Sequence, residues 1–405
     1  MKTQKKDLTT TAYEKGIQDY LKEVAESGSD VHENYTPAEI CDMMLDKVDL
    51  AKAETVLVLY NIELLFALKK RKFSGHVTFF TQSEEKAGLA PKIFSNITVE
   101  YIDKEANPLY HMENKWPDKF DIVIANPPYS RKLDLKFLDR AFDVAKEEIV
   151  FVHPASTFID VKKSTSAFKK INSKIEKYIK SLTLFNGNGI FGISLFVPCS
   201  VTYINKSISK KGFHLIDMVN SKNSFCNSID DISVHGNVNE FRTIKEKVLT
   251  SNNLQSNGTV LGSRGKDQRI LSNPNAKFVE MSRIQGSPNK GNLGMDSPIH
   301  TKQSFVILNG PALTVKSGRN PEYNIWWEFE TEIEAKNFIT YCKTYFARFC
   351  ISIYKFAQSL DNGELRAVPW MDFTQEWTDK KLYAHFNITE KEQAFIKEVI
   401  PPYYD

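Results

Sequence analysis

Along the first 205 positions, apolar residues come in short bursts separated by mixed segments, the pattern of a sheet covered by helices on both faces. Runs at 55–60, 76–80, 97–102, 120–125 and 149–152 are too short for helices and predict buried strands. Between and after them, 62–70, 135–146 and 164–180 carry helical spacing. Strands at 181–185 and 194–204 flank the loop Asn186-Gly187-Asn188-Gly189-Ile190-Phe191-Gly192 and resemble an antiparallel hairpin extending the sheet. Upstream, 13–26 reads as a helix. Thr36 reads as the cap of another, with Pro37 at its first position and Glu39 completing a capping box. The fold class expected is α/β, a doubly wound and mostly parallel sheet.

The pattern changes after Ser207. Residues 215–325 are rich in Asn, Ser and Gly, with short β-like runs such as 305–308. Helical periodicity returns over 332–360, and a final helix is expected from Thr389, boxed by Glu392, to 399. The division expected is an N-terminal helical extension (1–30), an α/β domain (31–210), a mixed region (211–365) and a C-terminal tail with a helix (366–405). A chain of 405 residues, 41% hydrophobic and 25% charged, is long enough for two cores.

Net charge is only +3, but its distribution is uneven. Seven lysines face two acids between Asp160 and Lys180, and nine Lys or Arg face three acids between Gly262 and Arg319. Such regions suit phosphate-backbone contacts, as they suit solvated faces. The five cysteines show no metal-ligand spacing and no disulfide framework, so no metal is expected and a reducing compartment fits. With no apolar leader and no stretch of transmembrane length, a cytoplasmic protein without a membrane partner is expected.

The chemistry concentrates where the strand 120–125 runs into Asn126-Pro127-Pro128-Tyr129. Two prolines cannot continue a ladder, so the strand delivers an amide, a rigid carbonyl and an aromatic ring to its carboxyl end. In an open α/β sheet that end is where ligands bind. The amino nitrogen of adenine is a poor nucleophile because its lone pair is delocalised. The Asn126 side-chain oxygen and the Pro127 carbonyl can accept its two N–H groups where positive charge grows, the converse of an oxyanion hole. Tyr129 can stack on a base extruded from a duplex.

Residues 120–129 resemble the catalytic motif of amino-directed S-adenosylmethionine-dependent DNA methyltransferases, and the order of elements resembles their gamma-type adenine-N6 members of restriction-modification and phage repertoires. The resemblance covers most of 30–205 and 365–400. It implies a Rossmann-like methyltransferase sheet over 31–210 and a C-terminal mixed target-recognition domain over 211–365. It also implies S-adenosylmethionine as cofactor, flipped adenine in double-stranded DNA as substrate, and a possible protein partner in a modification complex. Tyr35, Thr36 and Pro37 then match the segment enclosing the methionine end of the cofactor. Tyr60, Asn61 and Glu63 follow the first strand, with Glu63 a candidate for the cofactor's ammonium group. Glu84 is the candidate for the ribose hydroxyls, Asp103 for the adenine amino group, and Phe191 for packing against the extruded base. Candidate DNA-backbone contacts are Lys162, Lys163, Lys169, Lys170, Arg264, Lys266, Arg269 and Arg283.

One departure is marked. The first strand of such enzymes leads into a glycine-rich turn, whereas here the text is Leu59-Tyr60-Asn61-Ile62-Glu63, with no glycine. Asn61 is the residue expected to tolerate a positive φ there. Two readings follow: an active adenine methyltransferase with a divergent cofactor loop, or an impaired methyltransferase-like DNA-binding subunit or decoy. RNA or protein glutamine methylation uses related motifs, and no nuclease-like Asp…Glu-x-Lys cluster stands in a credible strand.

Overall fold

Each apolar burst of the first half becomes a strand. The computed structural model describes residues 15–16, 36–116, 120–128, 133–155, 158, 166–187, 198–218, 221–232, 235, 238–260, 276–282, 305–309, 324–354 and 362–403. The chain divides into two units, the first formed by 1–157, 164–195 and 199–216. Its strands are β1 (Thr55–Leu59), β2 (His76–Thr81), β3 (Ile97–Tyr101), β4 (Phe120–Ala125), β5 (Ala145–Pro154), β6 (Ile179–Asn186), β7 (Pro198–Asn205) and β8 (Phe213–Asp217). They lie in the order β3-β2-β1-β4-β5-β7-β6-β8. β1 pairs in parallel with both β2 and β4, β2 with β3, and β4 with β5. β7 runs antiparallel to β5. Strand order therefore reverses between β1 and β4, which makes their carboxyl ends the sheet's switch point.

Val56, Leu57, Val58 and Leu59 are all buried, as a strand covered on both faces requires. On one face Val56, Val58, Ile122 and Ile124 pack with Ile40 and Met44 of α1 (Ala38–Leu45) and Leu64 and Leu68 of α2 (Glu63–Lys70). Periodicity did not reveal α3 (Glu84–Ile93) or α4 (Pro108–Lys115). Their signals are at the ends: Ser83 accepts the Lys86 N–H, and Asn107 accepts the Leu109 N–H ahead of a first-turn proline. α5 (Leu133–Val144) stops before the expected position 146, because Ala145 already pairs with Phe120 in β5. The helix expected over 164–180 is α6 (Ser166–Ile175), followed by a 3₁₀ turn and β6. β6 and β7 are neighbours and extend the sheet beyond β5 as expected, with β7 the strand next to β5. The capping box at Thr36 does not form: Pro37 is the N-cap of α1 and no side chain caps it. The Thr36 hydroxyl is engaged elsewhere, as described below.

The second unit contains 158–163, 196–198 and 217–405. After β9 (Lys222–Cys226) and α7 (Asn239–Val248) come β10 (Thr259–Val260), β11 (Lys277–Ser282), β12 (Phe305–Asn309) and β13 (Asn324–Phe329). The last four form a sheet in the order β10-β13-β11-β12. The helical stretch expected over 332–360 is split into α8 (Glu332–Lys343) and α9 (Tyr345–Ser352). Thr344 breaks it: its backbone is extended, and its hydroxyl accepts the Ala347 N–H and donates to the Tyr341 carbonyl. α10 (Asp379–His385) and α11 (Glu390–Val399) complete the chain, the latter with the Thr389–Glu392 capping box in place. Phe241, Trp327, Phe338, Phe349, Phe373 and Phe395 share one core, so α11 and the segment before α10 pack with α7, β13, α8 and α9. All five cysteines are buried thiols. Among the described residues no helix is long and apolar enough to cross a membrane.

Among the described residues, each unit buries one histidine. His153 on β5 lies 2.8 Å from Thr202 Oγ1 through Nε2, and His235 lies 2.7 Å from Ser352 Oγ and stacks on Phe349. Burial pushes both imidazoles down to about 3 from 6.5. Both are neutral when folded, whereas the unfolded chain takes up protons below pH 6.5. Their stabilisation is therefore full above that pH and is lost as pH falls towards 3. Between pH 7 and pH 5 the loss expected is about 2 kcal/mol for each histidine. Urea denaturation at the two pH values measures it, and His235→Gln should flatten the pH dependence.

Candidate active site

At the end of β1 the chain turns without glycine. Tyr60 takes the positive φ, 69°, that the sequence suggested for Asn61. The Asn61 N–H donates to the Leu59 carbonyl at 2.9 Å, closing a γ-turn centred on Tyr60. For a non-glycine residue this conformation costs on the order of 1–3 kcal/mol. Several contacts hold it. The Tyr60 N–H donates to the Phe80 carbonyl at 2.7 Å, and Lys86 Nζ, buried, donates to the Tyr60 carbonyl at 3.3 Å. The Tyr60 ring meets Phe80 and Phe137 edge-on, each with centroids 5.3 Å away. Its hydroxyl donates to Gln82 Oε1 at 3.0 Å.

The turn places Asn61 beside the end of β4. Leu59 and Ala125 are register partners, so the next N–H of β4 would meet backbone of β1 had that strand continued. The Asn61 side chain supplies the missing acceptor: its Oδ1 takes the Asn126 N–H at 2.7 Å. The Asn126 Nδ2 in turn donates to Thr36 Oγ1 at 3.0 Å. Thr36, Asn61 and Asn126 are 0%, 0% and 1% exposed, so no solvent substitutes for these bonds. Donation to Thr36 holds the Asn126 amide nitrogen, and the buried Pro127 follows it. An amide oxygen and a proline carbonyl are both hydrogen-bond acceptors, and this strand end carries one of each.

The ends of β2 and β3 open on a cleft of about 760 Å³, whose lining includes Gln82, Glu84, Leu89, Tyr101 and Asp103. Glu84 and Asp103, separated by 19 positions in sequence, thus share one cavity. Glu84 belongs to the first turn of α3, where the helix dipole favours its charge. Asp103 Oδ1 accepts the Glu105 N–H at 2.8 Å. Glu63, in the first turn of α2, is buried and does not line that cleft. Pro37 is half-buried at the start of α1, and Pro128 is half-buried beyond Pro127.

Tyr35, Tyr129, Phe191, Lys162, Lys163, Arg264, Lys266, Arg269 and Arg283 lie outside the described residues, as does the side chain of Lys169. Lys170 is exposed on α6, with its Nζ 3.8 Å from Asp139 Oδ2. Two residues of the site were missed in the sequence, Gln82 and Lys86. Gln82 stands at a strand end where an acid is the residue expected. Lys86 lies three places after the helix-capping Ser83, a signal that locates a helix but says nothing of where its ammonium goes.

No protein-family model matches the chain, and no curated protein matches it. Among solved structures, it is similar to a protein of Listeria monocytogenes assigned to the class I S-adenosylmethionine-dependent methyltransferases (17% identity over 52% of this chain and 74% of that one, TM-score 0.36). It is also similar to the M protein of the type I restriction enzyme EcoKI (13%, 49% and 51%, 0.37). A third is an O-methyltransferase of Bacillus cereus in complex with SAH (15%, 47% and 91%, 0.35). The sheet itself is doubly wound and mostly parallel, with antiparallel β7 between β5 and β6.

The Thr36–Asn126 bond has a stability consequence. Thr36→Val keeps the shape but strands a buried amide N–H, so a loss of about 1–3 kcal/mol is expected in urea denaturation. Thr36→Ser, which keeps the hydroxyl, should lose less.

Proposed function

We propose that this chain transfers a methyl group from S-adenosylmethionine to the N6 amino group of a flipped adenine in double-stranded DNA. The observation that carries the reading is the anchored Asn126 at the switch point, its backbone nitrogen held on Asn61 and its amide nitrogen on Thr36. The cleft residues fit the nucleoside half of the cofactor, with Glu84 for ribose hydroxyls and Asp103 for the adenine amino group. When bound, S-adenosylmethionine supplies an electrophilic methyl group. Asn126 Oδ1 and the Pro127 carbonyl hold the target amino group by its two N–H bonds, which aims the nitrogen lone pair and stabilises the charge growing on it. No general base is needed, because the departing proton becomes acidic only after transfer. The two prolines fix the carbonyl direction, and Tyr129 stacks on the extruded ring. In this reading 31–210 is the catalytic domain, 211–365 recognises the target, Phe191 packs against the base, and 366–405 is the tail.

A second reading has an observation of its own. Asn61, Glu63 and Asn126 are each at most 1% exposed, and Tyr60 fills the turn where glycines would admit the methionine end of a cofactor. A DNA-binding subunit that no longer takes the cofactor would have these features. Calorimetry separates the two. Stoichiometric binding of S-adenosylmethionine, with transfer of label to adenine in mixed duplex DNA, is the outcome expected. Tight duplex binding with no heat from the cofactor would overturn the proposal in favour of the second reading.

Asn126→Ala should lower the transfer rate by about 10²–10³-fold, by analogy with removal of one oxyanion donor, with duplex affinity largely kept. Nucleoside analysis after single-turnover incubation measures it. For the DNA contacts, neutralising Lys162, Lys163, Lys169 and Lys170, or Arg264, Lys266, Arg269 and Arg283, should lower the slope of log K against log[salt] by about 0.9 for each phosphate left without its cation. An unchanged slope would remove those residues from the interface.

A further inference from the structure

We infer that Tyr60 and Gln82 form a positioning pair that sets the geometry of Asn126 and couples it to the cleft at the ends of β2 and β3. The catalytic consequence rests on the methyl-transfer reading above; the geometric one does not.

The chain of contacts is continuous. Gln82 lines the cleft and accepts the Tyr60 hydroxyl at 3.0 Å through Oε1. Its Nε2 donates to the carbonyls of Asp103, Lys104 and Ala106 at 3.2, 3.3 and 3.2 Å, two hydrogens shared among three acceptors. One amide therefore ties the β1 turn to the loop after β3. Tyr60, so held, occupies the centre of the γ-turn, and that turn presents Asn61 Oδ1 to the Asn126 N–H.

A glycine at this position would adopt φ 69° with no steric penalty but would also leave it freely. Tyrosine bears the strain and is held by its side chain. The hydroxyl bond, the two edge-on ring contacts and the Lys86 bond to its carbonyl together select one conformation. Gln82 is the member of this set that a ligand in the cleft would touch. Ligand contact at Gln82 biases Tyr60, and Tyr60 biases Asn61 and hence Asn126. By linkage the reverse also holds, so cleft affinity depends on the state of the Asn126 anchor. Tyr60 is thereby a positioning residue rather than a cofactor contact, and Gln82 joins it.

Hydrogen exchange tests this directly, because Pro127 and Pro128 have no N–H and Asn126 contributes the last exchanging amide before Tyr129. Asn61→Ala, which removes the acceptor, calibrates the loss of protection at Asn126. Tyr60→Phe keeps the ring and removes only the hydroxyl; Gln82→Ala cuts the same link from the half-exposed side. Both should speed exchange at Asn126 at least ten-fold while amides within β1 and β2 keep their protection. Unchanged exchange at Asn126 in both variants overturns the inference. So does a uniform loss across β1, β2 and β4, which would mark a role in folding alone. Where the wild type transfers methyl groups, Tyr60→Phe should lower kcat at least ten-fold, with thermal stability near wild type. Failure of the wild type to bind S-adenosylmethionine would sink the proposed function and leave the exchange result standing.

Discussion

A single backbone N–H at the end of β4 is the constraint around which the site is arranged. Asn126 is buried where its ladder partner has turned away, and a buried amide without an acceptor is costly. Asn61 meets the requirement with a side-chain oxygen 2.7 Å away. It can do so only if the chain reverses within one residue after Leu59, which forces the positive φ onto Tyr60. The Tyr60 contacts with Phe80, Phe137, Gln82 and Lys86 follow from the need to keep that conformation occupied.

The same arrangement explains why a turn without glycine is compatible with a buried amide at the switch point. Glycine solves the backbone problem by permissiveness, and its replacement must solve it by over-determination. Here strain is confined to one residue of the turn, while Tyr60, Asn61 and Asn126 are each hydrogen-bonded. The Thr36–Asn126–Asn61 chain crosses from the start of α1 to β4 and back to the β1 turn, so three distant segments become one hydrogen-bonded unit. Such a unit tolerates conservative change poorly, since removing any member leaves the next one unsatisfied. The cost of admitting a cofactor to this region is correspondingly high, which gives the second reading its physical basis.

Much of the fold was legible because its signals are local. Continuous apolar runs such as 120–125 and 55–59 became strands buried on both faces, and Thr389 with Glu392 became the capping box expected. The helices α3 and α4 were not expected from periodicity, and their sequence signals are the caps Ser83 and Asn107. The Thr36 motif misled for a related reason: a threonine hydroxyl suits a cap, but Asn126, ninety positions away, claimed it. The region of 332–360 read as one helix because apolar spacing persists through Thr344, whose double hydrogen bonding breaks it.

By itself the sequence determined the strand-end motif, the alternation that makes an α/β sheet, and the absence of glycine after β1, because each depends on residue type and spacing along the chain. Only the tertiary structure decided which residue bears the positive φ, that β7 enters between β5 and β6, and that Gln82 bridges the β1 turn to the loop after β3. These depend on which buried donor lies nearest which acceptor once the sheet has formed. Pairing across tens of residues is set by packing, and leaves no periodic trace in the chain.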